Sequence, residues 1–169
     1  MSGTMAEAPE AGRSAHQLVI ERKFAAPREL VWKMFADPYH LCRWWGPTGF
    51  TNPVCEMDLR PGGRWYHVMR SPAGNDYPAD SEFVEVAPPE RIVWRNRELQ
   101  AAAFGDNPPP SFLRMLSLID LGDGTTLLRI DCWFATAEEM GRVIARGFRE
   151  GTMQSLDRLA DELAGIGTS

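Results

Sequence analysis

Long apolar runs are missing from this chain, and so is an excess of positive charge. No stretch approaches the roughly 18 to 20 consecutive apolar residues of a membrane-spanning helix. Residues 1–15, rich in Ala, Gly, Glu and Ser, lack the apolar centre of a signal peptide. Neither a membrane span nor export is expected. The formal charge is -5, from 18 Lys and Arg against 23 Asp and Glu, which argues against nucleic acid or an anionic membrane as the main partner. Cysteine is scarce. Cys42, Cys55 and Cys132 are the only three, odd in number and without CxxC spacing, so no disulfide framework is expected and a reducing cytoplasm is the default compartment. Lysine is nearly absent: Lys23 and Lys33 are alone among 18 cationic side chains.

What is present suits one domain. A chain of 169 residues, 44% hydrophobic, can bury roughly 70% of its unfolded surface. Residues 1–15 read as a disordered leader with too little hydrophobicity to order itself, and 16–166 as a single domain. Gln17 to Phe24 alternates as a strand does. Pro27 opens a short helix whose apolar stripe is Leu30, Val31, Met34 and Phe35. Asp37-Pro38 caps a second short helix carrying Leu41, Trp44 and Trp45, and Gly46-Pro47 ends it. Six strands follow: Thr51 to Leu59, Arg64 to Ser71, Tyr77 to Val86, Arg91 to Arg97, Phe112 to Leu121 and Thr125 to Phe134. Asp123-Gly124 marks the last hairpin, because both residues tolerate positive φ. Glu98 to Ser111 is a long loop with the length of a lid. Thr136 to Glu139 resembles a capping box, and Thr152, Leu156, Leu159 and Leu163 trace the inner face of a long terminal helix. An antiparallel sheet must bury its apolar face, and that helix is the element able to cover it. The predicted fold is α+β, a curved antiparallel sheet wrapped around a long C-terminal helix, with two short helices after the first strand.

Several motifs occur in an informative order: Ala26-Pro27-Arg28-Glu29-Leu30-Val31-Trp32, Asp37-Pro38, Trp44-Trp45-Gly46-Pro47, Asp58-Leu59-Arg60-Pro61-Gly62-Gly63-Arg64-Trp65, Pro88-Pro89-Glu90-Arg91, and Glu150-Gly151 before Ser155-Leu156-Asp157-Arg158-Leu159. Together they resemble the SRPBCC (START-like) superfamily, and within it the subfamily related to the activator of the heat-shock-protein-90 ATPase. The resemblance covers about residues 17 to 164. It implies a helix-grip fold with an apolar cavity between sheet and helix, and also a chaperone partner in a stress-response setting. Two departures stand out. No counterpart of the activator's separate chaperone-binding domain lies within these residues, and His67 replaces an aromatic usual in that strand.

Alternation places Trp65, His67 and Met69 on one sheet face, Leu116 with Leu118 on another strand, and Leu128, Ile130, Cys132 and Phe134 on a third. Gly151 and Ser155 put small side chains on the helix where a packed core would want Leu. With Trp45, Phe50, Phe83 and Phe148 these predict a hydrophobic ligand-binding cavity lined by Trp45, Phe50, Trp65, His67, Met69, Phe83, Leu116, Leu118, Ile130, Phe148, Gly151 and Ser155. Close helix–sheet packing is the plainer alternative. Asp37, His40 and Cys42 cluster, but Asp37 is explained as a cap and Cys42 points away from His40, so neither a metal site nor a nucleophilic pair is assigned. No cofactor is expected. Three functions follow. First is binding of a small hydrophobic or amphipathic molecule or lipid. Second is a chaperone-associated module. Third is a cyclase- or hydrolase-type enzyme with His67 as acid or base and Glu82 or Glu85 as remote helpers. No side chain is assigned a catalytic role, and a homodimer is among the assemblies the sequence allows.

Overall fold

A computed structural model describes residues 16–97, 105 and 110–167. The expected leader lies outside the described residues, as does most of the loop proposed as a lid. Seven strands form one antiparallel sheet: β1 (Gln17–Phe24), β2 (Thr51–Met57), β3 (Arg64–Arg70), β4 (Asp76–Ala87), β5 (Arg91–Asn96), β6 (Leu113–Gly122) and β7 (Thr125–Trp133). Their order is β1-β7-β6-β5-β4-β3-β2, so the six-strand meander is closed on its last strand by the first. Four helices pack with it: α1 (Arg28–Ala36), α2 (Pro38–Trp44), α3 (Ala137–Ala145) and α4 (Phe148–Gly167).

Local chemistry sets the boundaries. The Asp37 carboxylate accepts the Tyr39 N–H at 3.0 Å with Pro38 as the first helical residue, so α2 starts with a satisfied cap. The Trp44 indole N–H donates to the Met34 carbonyl at 3.1 Å and ties α2 to α1. Asp123 and Gly124 take φ of 49° and 80°, the left-handed conformations a tight hairpin demands. Thr136 Oγ1 accepts the Glu139 N–H at 3.0 Å and opens α3. Where the sequence predicts one long helix after the last strand, the structure has two helices. Gly147, at φ 89°, turns the chain after α3, and α4 begins afresh at Phe148.

Register explains the core. One row across the sheet reads Val86, Ile92, Leu116, Ile130, Ile20, all aliphatic. These residues share an apolar cluster with Leu156, Leu159 and Leu163 of α4. The neighbouring row reads Phe83, Trp94, Arg114, Cys132, Leu18. It puts a cation into a face otherwise built for burial. A second, smaller cluster, Val93, Leu113 and Trp133, lies on the opposite face.

Candidate functional site: an aromatic interior holding an arginine

The twelve predicted lining residues separate into three groups. Leu116, Leu118 and Ile130 are 0%, 2% and 5% exposed within the cluster that holds the α4 leucines; they are packed core. Gly151, Ser155, Phe50 and Met69 gather at the Gly46–Pro47 turn. A Cβ on Gly151 would sit 3.4 Å from Pro47 Cγ, and one on Gly46 would meet Met69 Sδ at 3.3 Å and Phe50 Cβ at 3.4 Å. Trp45, Trp65, His67 and Phe83 come together around Trp65. Its ring lies 4.8 Å from Trp45, 4.9 Å from His67 and 6.2 Å from Phe83, stacked on the last. Phe148, the twelfth, joins from the start of α4, 5.6 Å from Phe112.

The Gly46–Pro47 turn is a clamp. Ser155 Oγ accepts the Gly46 N–H at 3.0 Å and donates to the Gly151 carbonyl at 3.2 Å. Its hydroxyl is therefore engaged in structure and does not point at a ligand. The Arg158 guanidinium donates to the carbonyls of Trp45, Gly46 and Pro47 from one nitrogen, and to that of Arg43 from the other. Asn52 Nδ2 adds bonds to the carbonyls of Cys42 and Trp45. These donors satisfy carbonyls that the end of α2 would leave bare. An open groove of about 460 Å³ lies beside this clamp, lined by Cys42, Arg43, Thr51, Asn52, Pro53 and Arg158. None of the twelve residues lines it, and the Arg158 and Asn52 donors there are already committed to backbone.

The aromatic group gathers four of the enclosed side-chain nitrogens that lack partners, whereas the clamp leaves only Asn52 Oδ1 unpaired. His67 is 3% exposed, and its Nδ1 has no hydrogen-bond partner. Trp94 is equally enclosed, its ring 5.8 Å from Trp65, and its indole N–H is likewise unpaired. Trp65 Nε1 faces the Cys55 thiol, a weak acceptor, without forming a bond of good geometry. Arg114 completes the set. Its guanidinium carbon lies 4.7 Å from the centroid of Phe112, 5.3 Å from Trp94 and 5.6 Å from Phe148, and its enclosed Nε is unpaired. No carboxylate among the described residues pairs with it.

Electrostatics follow from this burial. Desolvation, with the nearby Arg114 charge, pushes His67 down to about 3, so the imidazole is neutral across the physiological range. Desolvation also lowers Arg114 itself. Burial pushes Cys132 up to about 12 and Cys55 up to about 11, which keeps both thiols protonated and poor nucleophiles. The remote helpers do not reach this face. Glu82 is exposed and pairs with Arg97, while Glu85 pairs with Arg91. His40 bonds to Glu162, and no cluster of metal-ligating side chains occurs among the described residues.

Sequence reasoning missed Arg114 and Trp94. The signal was available. Extending the alternation of Leu118 and Leu116 back by one step places Arg114 on the inner face, and Ile92 does the same for Trp94.

A curved seven-stranded antiparallel sheet gripping a long C-terminal helix, with two short helices after the first strand, defines a START-like helix-grip protein of the SRPBCC superfamily. The family model described as Activator of Hsp90 ATPase homolog 1-like protein matches residues 25–164. The chain belongs to that family. Among solved structures it is similar to a Nitrosomonas europaea protein at 27% identity and a TM-score of 0.80, covering 92% of this chain and 99% of that one. A Mycobacterium smegmatis protein matches at 28% identity and 0.78, covering 90% and 93%. A Silicibacter pomeroyi protein of the same family name matches at 27% and 0.69, covering 88% and 97%. A search of curated proteins finds no match.

Proposed function

We propose that this protein binds a small hydrophobic or amphipathic molecule between the sheet and α4, at the aromatic end of that interface. The observation that carries this reading is His67, a polar side chain 3% exposed, with an unpaired ring nitrogen among Trp45 and Trp65. Small-molecule sites are apolar and aromatic with a few placed polar groups, and a buried polar atom without a partner costs about 1–3 kcal/mol. A ligand that supplies the partner offsets that cost. The thiols of Cys42, Cys55 and Cys132 are all free, which suits a reducing cytoplasm, and among the described residues no helix is long and apolar enough to cross a membrane.

Native mass spectrometry of freshly purified protein tests this, together with thermal melts against a panel of lipids and aromatic metabolites. A co-purifying small molecule, or a melting temperature that climbs with ligand concentration, is the expected result. Neither signal across the panel would overturn it. The family description favours a second reading, association with a chaperone ATPase. On the binding reading, a saturating excess of this protein leaves the turnover of such an ATPase unchanged.

A further inference from the structure

The aromatic interior contains one full charge, and its surroundings say what would meet it. Arg114 sits in the sheet row between Trp94 and Cys132, where neighbouring strands supply apolar side chains. Phe112, Trp94 and Phe148 surround its guanidinium at 4.7 to 5.6 Å. Ring faces attract a cation by about 0.5–2 kcal/mol each, but they accept no conventional hydrogen bonds, and a guanidinium carries five N–H donors in a planar fork. Trp94, its partner in register, is also a donor without an acceptor. Two donor-only groups thus stand side by side on one inner face with no acceptor between them among the described residues. Arg114 Nε is enclosed, yet the residue as a whole keeps some contact with solvent, so its fork is reachable from outside.

We propose that Arg114 is the recognition residue for a carboxylate, and that the molecule held between sheet and α4 is a monocarboxylic acid with an apolar body. The planar fork matches two carboxylate oxygens, and the rings of Phe112, Trp94 and Phe148 exclude water from the pair. The apolar body runs towards Trp65 and His67. This proposal rests on the reading of the interior as a binding site.

Two matched probe pairs test it: 4-phenylbutyrate against 4-phenyl-1-butanol, and decanoate against 1-decanol. Kd is measured by intrinsic tryptophan fluorescence and by calorimetry at constant ionic strength. Wild-type protein is expected to bind each acid roughly tenfold or more tightly than its alcohol. R114M and R114Q erase that preference and leave the alcohols within about twofold of wild type. R95M, on the exposed opposite face, retains it. Acids and alcohols binding equally to wild type would overturn the Arg114 assignment while leaving the interior site standing. Binding of none of the four would overturn both. A preference surviving in R114M and R114Q would place the anion elsewhere and overturn the assignment; if those variants do not fold, the wild-type ratio decides.

Discussion

Arg158 reaches from α4 to four backbone carbonyls at the end of α2 and the turn that follows it, whereas Arg114 reaches from β6 into three aromatic rings and meets no acceptor among the described residues. Desolvation lowers the pKa of both. One arginine is thus completed by backbone carbonyls, and the other is left without an acceptor among the described residues. The first arrangement explains why the Trp44-Trp45-Gly46-Pro47 and Ser155-to-Leu159 motifs occur together, since one supplies the carbonyls and the Gly46 N–H, and the other the groups that bind them. The second has no such internal account. Three ring faces offset part of the desolvation of its guanidinium, but none accepts its N–H donors. The guanidinium of the clamp is spent on backbone carbonyls, whereas that of the aromatic interior is not.

Substitutions sharpen that contrast. The largest effect is expected at the clamp. R158M removes four charge-assisted bonds, and urea unfolding should show a loss of about 2–4 kcal/mol. R158K recovers only part of it, since one ammonium cannot span four carbonyls. A loss below about 1 kcal/mol would mean that water replaces the guanidinium freely.

Acid titration reaches the other region. His67 is depressed to about 3 from an ordinary 6.5, so the unfolded chain takes up a proton that the folded chain refuses. Stability contributed by the neutral imidazole is present above about 6.5 and falls as pH drops towards 3, by up to about 1.4 kcal/mol per pH unit. The groups around it, Arg114 and the protonated Cys55, stay constant over that range. Subtracting the H67Q unfolding curve from wild type isolates the term; parallel curves between pH 6.5 and 4.5 would refute the buried neutral assignment. A smaller effect, about 1–2 kcal/mol, is expected for S155A, which strips the Gly46 N–H of its acceptor. An S155A variant as stable as wild type would show that the turn holds without that bond.

Periodicity and turn chemistry made most of the fold legible: the Asp37 cap, the Asp123-Gly124 hairpin and the inward face of Leu128, Ile130 and Cys132 were all readable from residue types. The faces of β4 were not. Its register slips between Phe83 and Glu85, leaving Val84 exposed as the extra residue, and an alternation rule cannot see a bulge. The break at Gly147 was hidden for a related reason, because glycine within a helical pattern signals a stop only when its neighbours confirm it. The site was half legible. Trp65 and His67 fell out of alternation, but Ser155 and Gly151 looked like empty space because the sequence does not reveal that the Gly46 turn fills it. Arg114 was passed over because inward-facing charge is rare without a partner, which is what makes it informative.

Unfolding free energies of R114M and R158M, measured side by side at pH 7.5 with no added ligand, test the contrast most directly. R158M should lose about 2–4 kcal/mol, while R114M, which trades a half-buried cation with no carboxylate partner among the described residues for an apolar side chain of similar length, should lose markedly less. An R114M variant destabilised as much as R158M would show that Arg114 is scaffold, and the account of an interior waiting for an anion would fall.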